Sequence, residues 1–164
     1  MLLRATHKTP IGTLTIIARE HVVLAAGFGG YEAMVQGMDS QDAELKLSKV
    51  DRIPTISDLV EDYFDGSLNA LNGISVRQPG EKFSQAAWKV MRKIPPGKVL
   101  SYAELAQRAG SPDAVRAAGS ACARNLIAPI VPCHRIVRTG GALGNYAFGL
   151  DKKEWLLRHE GFVK

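Results

Sequence analysis

Residues 101–124 read SYAELAQRAGSPDAVRAAGSACAR, and this stretch decides the fold of the C-terminal half. Ser101-Tyr102-Ala103-Glu104 has capping-box form, Ser at the N-cap and Glu three positions later, so it opens a helix, which stops at Gly110. Ser111-Pro112 opens a second, with Ser as cap and Pro as first helical residue, and this one runs to about Arg124. Two short helices around a tight Gly-containing turn predict a helix-turn-helix. The second helix is made of small residues, among them Ala114, Ala117, Ala118, Gly119 and Ser120, around a single Arg116. A helix that reads bases in the major groove needs several Arg, Asn, Gln or Lys side chains. Small residues instead permit close approach to a narrow minor groove, where one long side chain acts as a wedge. The same composition also fits an Ala-rich helix packed against its neighbours.

Upstream of this pair, Ser84 reads as an N-cap for a helix over 86–93 that Pro95-Pro96-Gly97 ends. Further upstream the character changes. Leu2–Thr6, Leu14–Arg19 and Val22–Phe28 are short, β-branched and apolar, separated by Pro10, Gly12 and the Glu20-His21 turn, which predicts an antiparallel meander. Gly29, Gly30 and Gly37 then break the pattern. Ile56, Leu59, Val60, Tyr63 and Phe64 stand at helical spacing before Asp65-Gly66, and residues 69–80 read as loop with one short strand. The expected organisation is α/β, with a β-sheet plus helix subdomain over 1–78 and a mainly helical subdomain over 79–164.

Downstream lies the stretch that carries chemistry, Ile130-Val131-Pro132-Cys133-His134-Arg135-Ile136-Val137. A thiol flanked by Pro and followed directly by His and Arg sits among groups that favour thiolate over thiol, so Cys133 reads as a nucleophile. Glu160 closes a helix just before Gly161, where the helix dipole disfavours an anion, so a specific cationic or donor partner is expected for it.

The whole chain narrows the possibilities. Its 164 residues, 46% hydrophobic, suffice for a real core. Arg4, His7, Lys8 and Pro10 interrupt the N-terminus, and no stretch is long enough to span a membrane. Cys122 and Cys133 read as free thiols of a cytoplasmic protein, and with no Cys-x-x-Cys pair a metal site is not expected. Residues 1–80 carry 7 Lys and Arg against 10 Asp and Glu, whereas residues 81–164 carry 14 against 6, net charges of −3 and +8. A basic half of this kind suits a polyanion.

In Tyr102, Arg116-Ala117-Ala118-Gly119, Asn125, Pro132-Cys133-His134-Arg135, Gly144-Asn145-Tyr146 and Lys153-Glu154-Trp155-Leu156-Leu157 with His159-Glu160-Gly161, the chain resembles the O⁶-alkylguanine-DNA alkyltransferases. The resemblance covers nearly all of residues 82–162. It implies an RNase H-like first subdomain and direct-reversal DNA repair: stoichiometric, irreversible transfer of an alkyl group from O⁶-alkylguanine, and from O⁴-methylthymine, to Cys133. No cofactor is implied. The implied partner is double-stranded DNA, bound in the minor groove without sequence preference by a monomer.

The resemblance also implies a role for each matched residue. His134 deprotonates Cys133 through a water and Glu160 fixes the His134 tautomer. Tyr102 donates a proton to the guanine ring, Tyr146 walls the pocket, and the Ala147 amide faces O⁶. The carbonyls of Cys133 and Ile136 read the exocyclic amine, and Asn125 ties the recognition helix to the cysteine loop. Arg116 fills the space of the flipped nucleotide, with Ala114, Ala117, Ala118, Gly119 and Ser120 on the DNA. Leu126, Ala147 and Phe148 depart from the family's usual proline, serine and glycine. Phe148 either narrows the pocket mouth or points outward. Two other readings of the residues stay open: a Cys-His hydrolase built on Cys133, His134 and Glu160, and a structural DNA-binding module using the helix-turn-helix alone.

Overall fold

The computed structural model describes residues 1–162. Close packing divides them into two units, the first made of Met1–Pro79 with Leu126–Ile130, the second of Gly80–Asn125 with the residues from Val131 onward. The expected boundary after residue 78 therefore omits a short segment of the C-terminal half that packs with the first unit.

In the first unit, β1 (Leu2–Thr9), β2 (Gly12–Arg19) and β3 (Val22–Gly27) form the antiparallel meander. α1 (Tyr31–Gly37) and α2 (Ser40–Ala43) follow, then β4 (Leu47–Lys49), α3 (Ile56–Phe64) and β5 (Ser75–Val76). The sheet order is β4-β1-β2-β3-β5, and both edge strands are parallel to their neighbours, so the sheet is mixed rather than a pure meander. Ile127 adds a parallel bridge at Ala26, where the Ala26 N–H donates to the Leu126 carbonyl at 2.9 Å. Residues Leu14 to Ala18 of the central strand are buried in unbroken succession, as a strand covered on both faces requires.

One face packs Leu2, Ile17 and Leu24 against Met34 and Met38. The glycines at 29, 30 and 37 predict a break here, yet Tyr31, Met34, Val35 and Met38 stand at i, i+3, i+4 and i+7. That spacing builds an apolar helix face in spite of the glycines. On α3, Ile56, Val60 and Tyr63 are buried.

In the second unit, α4 (Lys82–Lys93) precedes β6 (Leu100–Ser101), α5 (Tyr102–Arg108) and α6 (Val115–Arg124). A 3₁₀ turn, Cys133–Arg135, then leads into β7 (Ile136–Val137), which pairs in parallel with β6, and α7 (Leu150–His159) follows. The capping box at Ser101 forms in full: the Glu104 N–H donates to Ser101 Oγ at 3.0 Å and the Ser101 N–H donates to Glu104 Oε1 at 2.9 Å. Two other expected caps do not form. α4 begins at Lys82 with Glu81 as N-cap, and Ser84 is a buried residue inside the helix. α6 begins only at Val115 with Ala114 as N-cap; residues Ser111 to Ala114 make an isolated turn, with the Ala114 N–H donating to the Ser111 carbonyl. A serine before a proline thus starts a turn here without starting the helix. Trp88 of α4 donates its indole N–H to the Ala121 carbonyl at 2.9 Å and so locks α6 to α4.

The first unit also buries a histidine whose tautomer is determined by its partners. His7 Nδ1 lies 3.2 Å from the Leu14 carbonyl, which can only accept, so Nδ1 carries the proton. Nε2 then accepts from Ser57 Oγ at 2.8 Å, and Ser57 in turn accepts from the Ile53 N–H. Burial, the largest influence, holds the His7 pKa below its ordinary 6.5. The unfolded chain therefore takes up this proton first as pH falls. Stability that His7 contributes above about pH 6.5 is lost below it. Urea unfolding at pH 8 and pH 5.5 should show a steeper loss for the wild type than for His7→Asn, and equal slopes would refute the assignment.

Candidate active site

The 3₁₀ turn Cys133–Arg135 buries all three of its side chains. It is held by two short backbone bonds, Cys133 N–H to the Val131 carbonyl at 2.9 Å and Arg135 N–H to the Pro132 carbonyl at 3.0 Å. Asn125, which caps the end of α6, donates its Nδ2–H to the Val131 carbonyl at 2.7 Å. The helix end and the cysteine turn are thereby tied together.

Glu160 is the polar centre of the site. It caps the C-terminus of α7, where the helix dipole is unfavourable to an anion, and it is 3% exposed. Arg135 compensates with a fork, Nε to Oε1 at 2.8 Å and Nη2 to Oε2 at 2.9 Å, while its Nη1 donates to the Ile94 carbonyl at 2.6 Å. His134 Nε2 lies 2.8 Å from Glu160 Oε2. Burial alone would raise the Glu160 pKa, but His134 and Arg135 together outweigh it and hold the carboxyl well below the usual range. An ionised carboxylate can only accept, so His134 donates through Nε2. Its Nδ1, buried and without a protein partner among the described residues, is left as the basic nitrogen. Burial pushes the His134 pKa below its ordinary value, so the ring is a neutral imidazole.

Cys133 departs from expectation. Burial pushes its thiol upward, and the opposing influences are a hydrogen bond with the Asn125 side chain, the charge of Lys153 and the residue's own backbone. Neither adjacent residue supplies the cation that the sequence suggested. The Arg135 guanidinium is committed to Glu160, and His134 is neutral. The sulfur at rest is a protonated thiol.

Cys133 faces a cavity of about 620 Å³. From α6 come Arg116, Gly119 and Ser120, with Val115 at its edge; Tyr102 closes one side, and Tyr146 and Ala147 another. The Asn145 N–H donates to Tyr102 Oη at 3.4 Å. A Cβ on Gly144, which has φ +77°, would fall 2.9 Å from that hydroxyl, so the close approach of this loop to Tyr102 requires glycine. Burial raises the Tyr102 pKa and keeps the phenol protonated. Tyr146 packs edge-on against His134, with centroids 6.5 Å apart, and against Phe148 at 5.7 Å. Phe148 supports Tyr146 and is not among the residues lining the cavity.

Several expected residues stand elsewhere. Ala118 is 0% exposed and, with Ala121, forms the inward face of α6, so it has no surface to offer DNA. Ala114 is the helix cap, and Ala117 is half-buried outside the cavity lining. On α6 the packed-helix reading accounts for the inner face, where Ala118 and Ala121 are buried, and Arg116 and Ser120 are exposed on the other side. Ile136 is fully buried, and its carbonyl accepts from Lys153 Nζ at 2.6 Å. Residues given no role by the sequence also enter the site: Cys122 and Arg138 line the cavity, and Lys153 bonds the carbonyls of Ile136 and Asn145. For Lys153 a signal existed, since Lys153, Leu156, Leu157 and Glu160 stand at i, i+3, i+4 and i+7 on one face of α7. Among the described residues no cluster of His, Cys, Asp and Glu could hold a metal ion, and no helix is long and apolar enough to cross a membrane.

Residues 82–162 match the family model described as 6-O-methylguanine DNA methyltransferase, DNA binding domain. A methylated-DNA–protein-cysteine methyltransferase of Shigella flexneri is 37% identical over 99% of this chain and 97% of its own length. One from Methanosarcina mazei is 36% identical over 85% of this chain and 89% of its own. A crystal structure of Mycobacterium tuberculosis OGT in complex with DNA superposes with a TM-score of 0.79 at 31% identity, covering 96% of this chain and 92% of that one.

Removing the anion from the site should be costly. Glu160→Gln leaves the Arg135 cation buried without a counter-charge, a loss of about 3–5 kcal/mol in such settings. Urea unfolding measures it, and an unchanged midpoint would show that the pair is not the anchor of this turn.

Proposed function

Because this chain belongs to the methylated-DNA–protein-cysteine methyltransferase family, it repairs alkylated DNA by moving the alkyl group onto a cysteine of its own, and we propose that this cysteine is Cys133. The observation that carries the proposal is the pairing, on one buried turn facing the cavity, of a thiol with a neutral imidazole whose Nδ1 is free to accept a proton. His134 takes the proton from sulfur through a water, and Glu160 holds the tautomer that makes this possible. The sulfur attacks the alkyl carbon, the bond to O⁶ breaks, and its electron pair stays with guanine. Tyr102, kept protonated by burial, donates to the ring as it leaves. His134 then gives its proton up to solvent and Tyr102 regains one from it, so that in balance one alkyl group passes to sulfur, the thiol loses one proton and guanine gains one. Tyr146 forms the cavity wall and the exposed Ala147 offers its amide to O⁶.

The thioether is stable and nothing in the site can hydrolyse it, so one molecule serves one lesion. O⁴-methylthymine, which places an alkyl group on a similar exocyclic oxygen, is a second substrate.

DNA is the partner, and we place α6 in the minor groove of a duplex. Its outward face is small except for the exposed Arg116, which enters the stack when the damaged nucleotide is extruded into the cavity. Gly119, Ser120 and Ala117 allow the groove to approach, and the basic second half supplies phosphate attraction. The protein acts as a monomer in the cytoplasm, where a thiol that must remain reduced is safe.

Mass spectrometry after incubation with O⁶-methylguanine DNA should find one added methyl group, on Cys133. Continuous hydrolytic turnover would instead favour a Cys-His hydrolase, and binding without transfer a structural DNA module. Cys133→Ala should lose all transfer while retaining lesion binding, and residual transfer would overturn the assignment. Arg116→Ala should slow repair of duplex DNA at least tenfold more than reaction with free O⁶-benzylguanine, because the free base needs no extrusion. Equal losses on both substrates would remove the wedge from the mechanism.

A further inference from the structure

Lys153 is a buried charge that the reaction above does not use. It lies on the inner stripe of α7 with 0% exposure, the one lysine among the buried polar residues described. Its Nζ donates to the Ile136 carbonyl at 2.6 Å and to the Asn145 carbonyl at 3.0 Å. The first acceptor follows the cysteine turn directly; the second begins the loop of Tyr146 and Ala147. No carboxylate pairs with Lys153 among the described residues. Taking an ammonium out of water without an anion is costly, and two carbonyls offset only part of that cost.

The titratable groups in its field are Cys133 and His134 of the 3₁₀ turn and Cys122 of α6. Of these, only Cys133 becomes an anion in the proposed transfer. We propose that Lys153 is a positioning residue whose charge is held in reserve for the Cys133 thiolate, while its two hydrogen bonds fix the Tyr146 loop beside that sulfur. This inference rests on Cys133 being the acceptor.

The physical case is one of differential stabilisation. Against a neutral thiol the ammonium gains little; against the thiolate it gains a full charge–charge attraction in a dry site, so its effect appears only as charge develops on sulfur. It acts in the same sense on His134, disfavouring the imidazolium, and Glu160 opposes it there. Lys153 keeps its three protons throughout. The direction agrees with the influences on each partner: Lys153 favours ionised Cys133, and Cys133 favours charged Lys153, whereas burial alone lowers the lysine.

The test is the pH dependence of the sulfur. In a Cys122→Ser background, which removes the second thiol of the cavity, thiolate absorbance in the ultraviolet reports Cys133, and the rate of transfer from O⁶-methylguanine DNA is measured over the same range. Lys153→Met should raise the ionisation midpoint by about one unit, a tenfold loss of thiolate at a given lower pH. The transfer rate should fall about tenfold near neutrality and approach that of the wild type in alkali. Lys153→Arg should keep most of the wild-type titration. A uniform slowing at every pH with the sulfur titration unmoved would overturn the proposal and reduce Lys153 to a clamp on the loop. If Lys153→Met does not fold, Lys153→Gln, which keeps a hydrogen-bond donor without the charge, carries the same titration, and a sulfur midpoint equal to that of the wild type would overturn the proposal. Mass spectrometry of each reacting variant separates the two inferences: a methyl group elsewhere than on Cys133 refutes the acceptor and the lysine's role with it, whereas a methyl group on Cys133 with an unmoved sulfur titration refutes the lysine alone.

Discussion

The second unit depends on one buried carboxylate. Glu160 sits at the end of α7 where the helix dipole makes an anion unwelcome, and the bidentate Arg135 and the His134 N–H offset that cost. Each of these bonds has a second consequence. Arg135 reaches on to the Ile94 carbonyl just after α4, so the end of α4, the cysteine turn and the end of α7 meet at one ion pair. His134, obliged to donate through Nε2, has no choice about which nitrogen remains basic. The fold and the protonation state of the base follow from the same contact.

A similar economy holds in α6, where composition serves two faces at once. Ala118 and Ala121 are fully buried, and the Ala121 carbonyl receives the Trp88 N–H, so smallness on the inner face lets α4 pack closely. On the outer face Gly119 and Ser120 leave the cavity wall low around Arg116. A side chain added at Gly119 would meet open space, so the packing constraint falls on the inner face, at Ala118 and Ala121. The expected set of DNA contacts was too wide for this reason: period 3.6 turns Ala118 inward whenever Arg116 points out.

What the sequence made legible were features whose physics is local. The meander, α3, the capping box at Ser101 and the need of Glu160 for a cationic partner are each decided within a few residues, and each stands in the structure. The rest depends on neighbours far along the chain. Ser84 and Ser111 have the chemistry of caps, but tertiary packing starts α4 earlier and α6 later. The edge strand β4 has no alternation of its own and exists because β1 offers it a partner, whereas the short strand expected within 69–80 stands as β5 beside β3. The charge on Cys133 was misjudged because sequence adjacency says nothing of where Arg135 points. The guanidinium turns away to a carboxylate that lies 25 residues further on, and no pattern in the Pro-Cys-His-Arg stretch could reveal that.

A thiol at rest, in place of a thiolate, changes the chemistry open to Cys133. A standing thiolate would be open to any soft electrophile small enough to enter the cavity, and a protein that reacts once is spent by every such accident. Cys133 at rest is instead a buried thiol whose ionisation burial opposes. In the proposed transfer the groups that favour the anion act only once a proton has been passed to an imidazole that burial keeps weakly basic. Loss of the proton and arrival of the alkyl carbon are thereby coupled, because neither the thiolate nor the imidazolium is stable enough to accumulate alone. On the proposed mechanism, selectivity then lies in what fills the cavity beside the sulfur: a base extruded between Tyr102 and Tyr146 would do so, and a small free electrophile would not.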